Sequence, residues 1–243
     1  MSRIVLVTGS TRGLGLATAR RFAEDGDHVV LTGRDEQALG RVVDRLRLEG
    51  LEVSGVGLDV DSEVSVRCAA QEVSRRHDRL DVLVNNAGIL PEATSTGAAF
   101  AEPSVLARTL HTNVVGAALV IEAFLPLVLR SDAGRVVNVS STMGSLSDHA
   151  DPASPYAATA VPAYRASKAA LNSLTVSLAR QLEGTSVVVT AVCPGFVQTD
   201  LTPFSRNIAP LTATEASEVV WRAGSPTETP AATFVDAAGP VAW

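Results

Sequence analysis

Tyr164 and Lys168 stand four residues apart in Tyr164-Arg165-Ala166-Ser167-Lys168, a spacing that puts both side chains on one face of a helix. A free phenol, with a pKa of about 10, is a sluggish proton donor and acceptor at neutral pH. A nearby ammonium favours the phenolate and lowers that pKa, which makes the group usable in both directions. The chemistry that needs such a pair is delivery of a proton to a carbonyl oxygen as hydride reaches the carbon. By itself the pair is more often a contact on a helix surface, so its meaning depends on its surroundings. The other tyrosine, Tyr156, has Ala160 four residues on and sits in a Pro-flanked stretch, so it reads as a decoy.

Two further places carry polar groups in apolar settings. Val136-Val137-Asn138-Val139-Ser140-Ser141 is a strand-like run ending in hydroxyls, which could meet a substrate oxygen or cap the next turn. Asn113, in His111-Thr112-Asn113-Val114-Val115-Gly116, is an amide in an otherwise apolar helical stretch and needs a partner there. An interhelical hydrogen bond would serve. His111 reads as its neighbour rather than as an actor.

Near the start, Thr8-Gly9-Ser10-Thr11-Arg12-Gly13-Leu14-Gly15 follows a short apolar run and opens a helical pattern. Glycines there allow a tight turn and let backbone N–H groups approach a pyrophosphate at the positive end of the helix. The next strand-like run ends Leu31-Thr32-Gly33-Arg34. An acid at that place would suit the ribose 2′-hydroxyl of NAD, whereas the planar, permanently charged guanidinium of Arg34 suits a 2′-phosphate. Alone, Arg34 could equally be a solvated surface charge. Asp35 reads as the N-cap of the following helix.

The elements that must position these groups alternate along the chain. Strand candidates are Ile4–Thr8, His28–Thr32, Glu52–Gly57, Val82–Asn85, Gly134–Ser140 and Ser186–Val192, most without polar alternation, as in a sheet buried on both faces. Helical patterns lie between them at Leu14–Asp25, Asp35–Glu49, Ser62–His77, Val105–Leu129 and Tyr164–Leu182. This predicts an α/β fold: one Rossmann-type, doubly wound parallel sheet flanked by helices, forming a single domain over 1–243. Loops at about 90–104, 145–162 and 200–212 should line a substrate pocket, since open α/β sheets bind ligands at the carboxyl ends of their strands. In the weakly patterned tail, Phe234-Val235 is a candidate for one more short strand.

Composition narrows the function classes. The chain has 243 residues, 46% hydrophobic and 19% charged, which suits one large two-sided core. A net charge of −6 argues against a nucleic-acid partner. Cys68 and Cys193 lie far apart, with no CxxC or Cys/His cluster, so neither a disulfide framework nor a metal site is expected. Cys193 has no base nearby in the pattern and reads as a small hydrophobe. The chain enters Ile4-Val5-Leu6-Val7 without the pattern of a signal peptide. The longest apolar stretch, Val114–Leu129, is broken by Glu122 and Pro126 and is shorter than a bilayer span. A cytoplasmic protein without a membrane partner is the expectation.

The motifs Thr-Gly-x-x-x-Gly-x-Gly, Asn85-Asn86-Ala87-Gly88, Ser140-Ser141, Tyr164-x-x-x-Lys168 and Pro194-Gly195-x-x-x-Thr199, in that order, resemble the short-chain dehydrogenase/reductase family over Ile4 to about Thr199. The resemblance implies a catalytic set of Asn113, Ser141, Tyr164 and Lys168. In the family's Ser-Ser pattern the second serine binds the substrate oxygen, which points to Ser141 over Ser140. The family's asparagine in the long central helix holds a water that links the lysine to a proton relay. The resemblance also implies a cofactor site of Gly9, Thr11, Arg12, Gly13, Leu14, Gly15, Arg34, Asp59, Val60, Asn86, Ala87, Gly88, Tyr164, Lys168, Pro194, Gly195, Val197 and Thr199. Within it Arg12 is a second cation for the 2′-phosphate beside Arg34, and the two together favour NADP(H); Asp59 meets the adenine, Lys168 meets the nicotinamide ribose, and Thr199 meets the carboxamide. Asp59 could equally cap the helix that follows.

Val137–Leu146, Cys193–Leu201 and the terminal Pro-Val-Ala-Trp resemble the carbonyl-reductase branch, which implies a small-molecule ketone or aldehyde substrate. A C=N bond, a hydroxysteroid, or a non-catalytic NADP-binding regulator are the alternatives. Ser141 and Tyr164 lie 23 residues apart, about twice the commoner family separation, and the extra residues fall in 145–162. Carbonyl reductases carry an insert there over a face that tetrameric relatives use for assembly. A monomer or weak homodimer is thus expected in preference to a tetramer.

Overall fold

The structure, a computed structural model, describes residues 2–94, 100–226 and 233–243. Its elements are β1 (Ile4–Val7), α1 (Gly13–Glu24), β2 (His28–Gly33), α2 (Glu36–Leu48), β3 (Val53–Gly57), α3 (Glu63–Arg76), β4 (Val82–Asn85), α4 (Pro103–Leu110), α5 (Ala117–Val128), β5 (Arg135–Val139), α6 (Leu146–Ala150), α7 (Pro162–Gln181), β6 (Val188–Val192), α8 (Ser205–Ile208), α9 (Ala213–Gly224), β7 (Thr233–Asp236) and β8 (Gly239–Pro240). The strands form one sheet in the order β3-β2-β1-β4-β5-β6-β7-β8, parallel except for the final β7–β8 pair. The strand order reverses between β1 and β4, and that switch point is where a crevice opens.

Strand residues alternate between two cores because successive side chains point to opposite faces. Leu6, Val30, Leu83, Val136 and Val189 face one core, which α3 and α5 cover with Val66, Val73, Val120 and Phe124. Val5, Val7, Val29, Leu31, Val82, Val84 and Val137 face the other, covered by Phe22 of α1, Leu39 and Val43 of α2, and Val220 of α9. Burying a side chain of this size stabilises by about 1.5–3 kcal/mol. Both faces are needed to shield so apolar a sheet. At the amino ends of the strands, Arg3 fastens Asp27 with bonds of 2.9 and 2.6 Å, far from the crevice.

Three differences from the expected elements matter. The central helix starts earlier and is continuous: α4, a π-helical turn His111–Gly116 and α5 run from Pro103 to Val128. These 26 residues, with mean hydropathy 1.6, are long and apolar enough to cross a bilayer, where the sequence suggested a shorter span. Val120, Phe124 and Val128 are nevertheless fully buried in the protein core. The stretches 145–162 and 200–212 are not wholly irregular, since they contain α6 and α8. Of the loop expected at 90–104, residues 95–99 lie outside the described residues, as do 227–232 of the tail. Phe234-Val235 falls in β7.

Candidate active site

The glycine turn and the end of β4 brace each other across the switch point. Gly9 and Gly13 have φ of 63° and 56°, a region that L side chains seldom adopt. Thr8 Oγ1 accepts from the N–H groups of Asn86 and Ala87 at 2.9 and 3.0 Å. Asn86 Nδ2 donates back to Thr8 O at 2.9 Å. A Cβ at Gly15 would lie 2.4 Å from Gly9 O and 2.5 Å from Asn86 Nδ2, so the turn is closed to any side chain there. α1 begins at this turn with no side-chain cap on its N-terminus, which leaves its first N–H groups facing the crevice. Asn85, next to Asn86, donates instead to Asn138 Oδ1 at 2.9 Å and ties β4 to β5.

The expected 2′-phosphate cations line the same crevice, together with Gly33, Asp59 and Val60. Arg12 is engaged: its Nη1 lies 3.0 Å from Asp200 Oδ2. Arg206 and Arg12 together hold the Asp200 carboxyl well below the usual range, at about 2. Asp35 caps α2 through Ala38 N at 2.9 Å, as expected. Asp59 accepts from Asp61 N at 3.1 Å, while Ser62 is the residue that caps α3.

Tyr164 is the third residue of α7, and Lys168 lies one turn on; they are 8% and 5% exposed. Lys168 Nζ donates to Val139 O at 2.8 Å and lies 5.5 Å from the centroid of the Tyr164 ring. A Cβ at Gly144 would come 2.6 Å from the Lys168 carbonyl carbon, so only glycine lets the turn Thr142–Gly144 seat against α7. The two serines diverge. Ser140 Oγ donates to Asn172 Oδ1 at 2.5 Å and is a strut between β5 and α7. Ser141 accepts from Met143 N at 3.2 Å and lines the cavity with Tyr164.

Electrostatics here differ from the expected picture. Burial pushes the Tyr164 hydroxyl above its usual range, and the neighbouring Ser141 hydroxyl opposes this. Burial also brings the Lys168 ammonium down to about 8. The lysine points at a carbonyl oxygen rather than at the phenol, so the lowered tyrosine pKa expected from their spacing does not arise in the protein alone.

Asn113 sits inside the π-helical turn and is 1% exposed. Its Oδ1 accepts from Ile89 N at 2.8 Å, and its Nδ2 donates to Ile89 O at 3.0 Å and to Ser167 Oγ at 3.0 Å. It therefore ties the loop after β4 to α7. The segment after β6 folds over the glycine turn: Gly195 has φ of 83°, Val197 pairs with Leu211, and Thr199 Cβ lies 3.4 Å from where a Gly13 Cβ would stand. Cys193 is buried with Ala191 and Phe234, as a small hydrophobe would be.

One cavity of about 590 Å³ is lined by Arg12 and Arg34 as well as by Ser141, Tyr164 and Lys168, while Asn113 stands outside its lining. Its wall also carries the apolar Leu90, Met143, Val161, Phe196 and Phe204, with the polar Thr159, Thr202 and Ser205 among them. Tyr156 is part of that wall, so the decoy lies in a loop, as expected, but not away from the site. Sequence patterns also passed over three residues that hold the site together. Asn172 receives Ser140 and donates to Gly144 O at 3.3 Å. Arg165, 5% exposed, donates to Tyr156 O at 2.5 Å and fastens the insert to α7. Glu92 accepts from two N–H groups at the start of α7. Asn172 has a legible signal, four residues beyond Lys168 on the same helix; the other two have none.

Comparison with known proteins gives a consistent result. Residues 3–208 match the profile of the short chain dehydrogenase family. A granaticin polyketide synthase putative ketoacyl reductase of Streptomyces violaceoruber is 37% identical over 82% of this chain and 69% of its own length. A 3-oxoacyl-acyl-carrier-protein reductase of Aquifex aeolicus is 34% identical over 82% of this chain and 76% of its own. Among solved structures, an NADPH-bound carbonyl reductase from chicken fatty liver superposes with a TM-score of 0.87 at 26% identity, covering 100% of this chain and 94% of that one.

Proposed function

We propose that this chain, which belongs to the short-chain dehydrogenase family and is an oxidoreductase of Rossmann fold, reduces a ketone or aldehyde to an alcohol with NADPH. The observation that carries this reading is the single cavity that runs from the glycine turn and two arginines to Ser141, Tyr164 and Lys168. The cradle fits a dinucleotide, because it offers positive-φ glycines, uncapped helix N–H groups and no room for a Cβ at Gly15. Gly9–Gly15 would hold the pyrophosphate, Arg12 and Arg34 the 2′-phosphate, Asp59 and Val60 the adenine, Asn86–Gly88 the ribose side, and Pro194–Thr199 the carboxamide.

When bound, the nicotinamide supplies the hydride. Ser141 binds the carbonyl oxygen and orients it toward Tyr164. Tyr164 gives that oxygen its proton as negative charge develops there. Lys168 supplies positive charge beside the phenol and holds the ribose, while Asn113 keeps α7 and the loop after β4 in register. The apolar residues of the wall, Met143, Phe196 and Phe204 among them, suit an uncharged substrate body. The test is NADPH oxidation against a panel of ketones and aldehydes. Turnover with none of them, despite tight NADPH binding, would instead favour a regulator that binds the cofactor without using it.

Cofactor choice makes a separate expectation. A hydrogen bond to a charged group contributes about 1.5–3 kcal/mol, or roughly 10–150-fold in affinity. Arg34→Asp removes that attraction and adds repulsion, so the preference for NADPH over NADH should fall by at least that factor or invert. Equal affinity of the unaltered protein for both cofactors, measured by fluorescence titration, would contradict it. The Arg12 contribution should be smaller, since Arg12 must leave Asp200 to reach a phosphate. A monomer or weak dimer remains our reading of the insert at 145–162. Light scattering of a dilute solution should give a mass near 25.2 kDa, and a stable tetramer would rule it out.

A further inference from the structure

The N-terminus of α7 has no cap of its own. Val161 stands at the N-cap position with no side-chain hydrogen bond, and Pro162 follows. Its cap comes from Glu92, in the 3-10 turn Pro91–Thr94 after β4. Glu92 Oε1 accepts from Ala163 N at 2.9 Å and Oε2 from Tyr164 N at 2.8 Å. A carboxylate suits this place because both the free N–H groups and the helix dipole favour negative charge. The second of the two N–H groups belongs to the proposed proton donor itself.

The carbonyl side of the same residue is held as well. Ser167 Oγ donates to Tyr164 O at 2.7 Å and accepts from Asn113 Nδ2 at 3.0 Å. Asn113 in turn grips both the N–H and the C=O of Ile89, three residues before Glu92. A closed ring of hydrogen bonds thus runs from Ile89 through Asn113 and Ser167 to Tyr164, and back through Glu92. It fixes the Tyr164 backbone from both sides, and Glu92 is its one contact on the amide side.

We propose that Glu92 is a positioning residue for the reaction: by clamping the Tyr164 and Ala163 amides it sets the placement of the Tyr164 hydroxyl against Ser141. This rests on the reading of Tyr164 as the proton donor. Glu92 is absent from the cofactor crevice, so its effect should fall on turnover and not on cofactor affinity. A misplacement of about 1 Å at the reacting atoms can cost roughly 100-fold in rate.

The test compares Glu92→Ala, which loses both acceptors, with Glu92→Gln, which keeps the length and one oxygen. For Glu92→Ala we expect kcat to fall at least tenfold, with the NADPH Kd and the carbonyl KM within about twofold of the parent. Glu92→Gln should fall between the two. Asp27→Asn, which weakens the Arg3 clamp at the far end of the sheet, serves as the stability control and should retain its kcat. A second readout does not need turnover. The chain has two tyrosines, so in a Tyr156→Phe background the ultraviolet phenol titration reports Tyr164 alone. Glu92→Ala should move that titration down toward the ordinary tyrosine range, as the helix end loosens and the phenol meets water.

A kcat unchanged in folded Glu92→Ala, a loss equal to that of Asp27→Asn, or a loss confined to NADPH affinity would each overturn the proposal. So would an unmoved Tyr164 titration. If the parent protein turns over no carbonyl at all, the functional reading fails, and the titration still tests whether Glu92 positions the phenol.

Discussion

Tyr164→Phe is expected to lower kcat by at least about 10²–10⁴-fold, the range that a positioned general acid contributes. The substitution keeps the ring, its burial and the backbone bonds to Glu92 and Ser167, and removes only the hydroxyl. NADPH should still bind, and the loss should lie mainly in kcat, because the hydroxyl matters most as charge develops on the substrate oxygen. Lys168→Ala should slow turnover too, and in addition weaken NADPH binding. Tyr156→Phe is the contrast. Tyr156 lines the same cavity and the substitution keeps its ring, so kcat should be largely kept and any change should lie in KM. A dead Tyr156→Phe beside a working Tyr164→Phe would reverse the assignment.

Gly15→Ala should be the most damaging small substitution in the chain. One methyl would stand 2.4 Å from Gly9 O and 2.5 Å from Asn86 Nδ2. Neither neighbour is a flexible tip: the first is backbone in a positive-φ turn, and the second is bonded to Thr8 O. The strain has to move the turn. Overpacking of this kind costs about 1–3 kcal/mol, which for a domain of this size lowers Tm by roughly 2–12 °C. Because the displaced atoms form the pyrophosphate cradle, the NADPH Kd should rise more than about tenfold, or 1.4 kcal/mol. Gly40→Ala gives the comparison. It lies in α2 with nothing near its Cβ position, so it should leave NADPH binding alone and stabilise by about 0.5–1 kcal/mol. Similar calorimetric profiles and cofactor titrations for the two variants would mean that the turn yields more easily than its contacts imply.

Much of the architecture is legible in the sequence because parallel strands buried on both faces leave unbroken β-branched runs, as in Val5–Val7, Val29–Leu31 and Val136–Val137. The glycine turn, the Asn-Asn-Ala-Gly end of β4 and the Tyr-Lys pair are legible because each is a local constraint on backbone or helix spacing. Where the determinant is not local, the reading stops. Glu92 meets its partners 71 and 72 residues later, and no spacing rule joins a loop acid to a distant helix start. Tyr156 follows the path of an insert whose sequence has no period, so its place in the cavity wall depends on the fold. Tyr164 and Lys168 lie one turn apart on α7. The pair's electrostatic effect did not follow from spacing, because burial outweighs the neighbouring charge and Lys168 turns to Val139 O.

The π-helical turn His111–Gly116 has a consequence for how this chain could change length over evolution. A π turn holds about one residue more than an α turn, and each α-helical residue advances the direction of its side chain by roughly 100°. Because the wide turn already absorbs that residue, losing it would restore an ordinary helix and leave the side chains on its far side facing as they do. Val120 and Phe124 would stay in the core, but Asn113 would lose the wide turn from which it reaches both Ile89 and Ser167. Loss of that one residue should therefore spare the core and break the Ile89–Asn113–Ser167 link, so changes of length should accumulate instead at 145–162, where the chain already departs from the commoner family length.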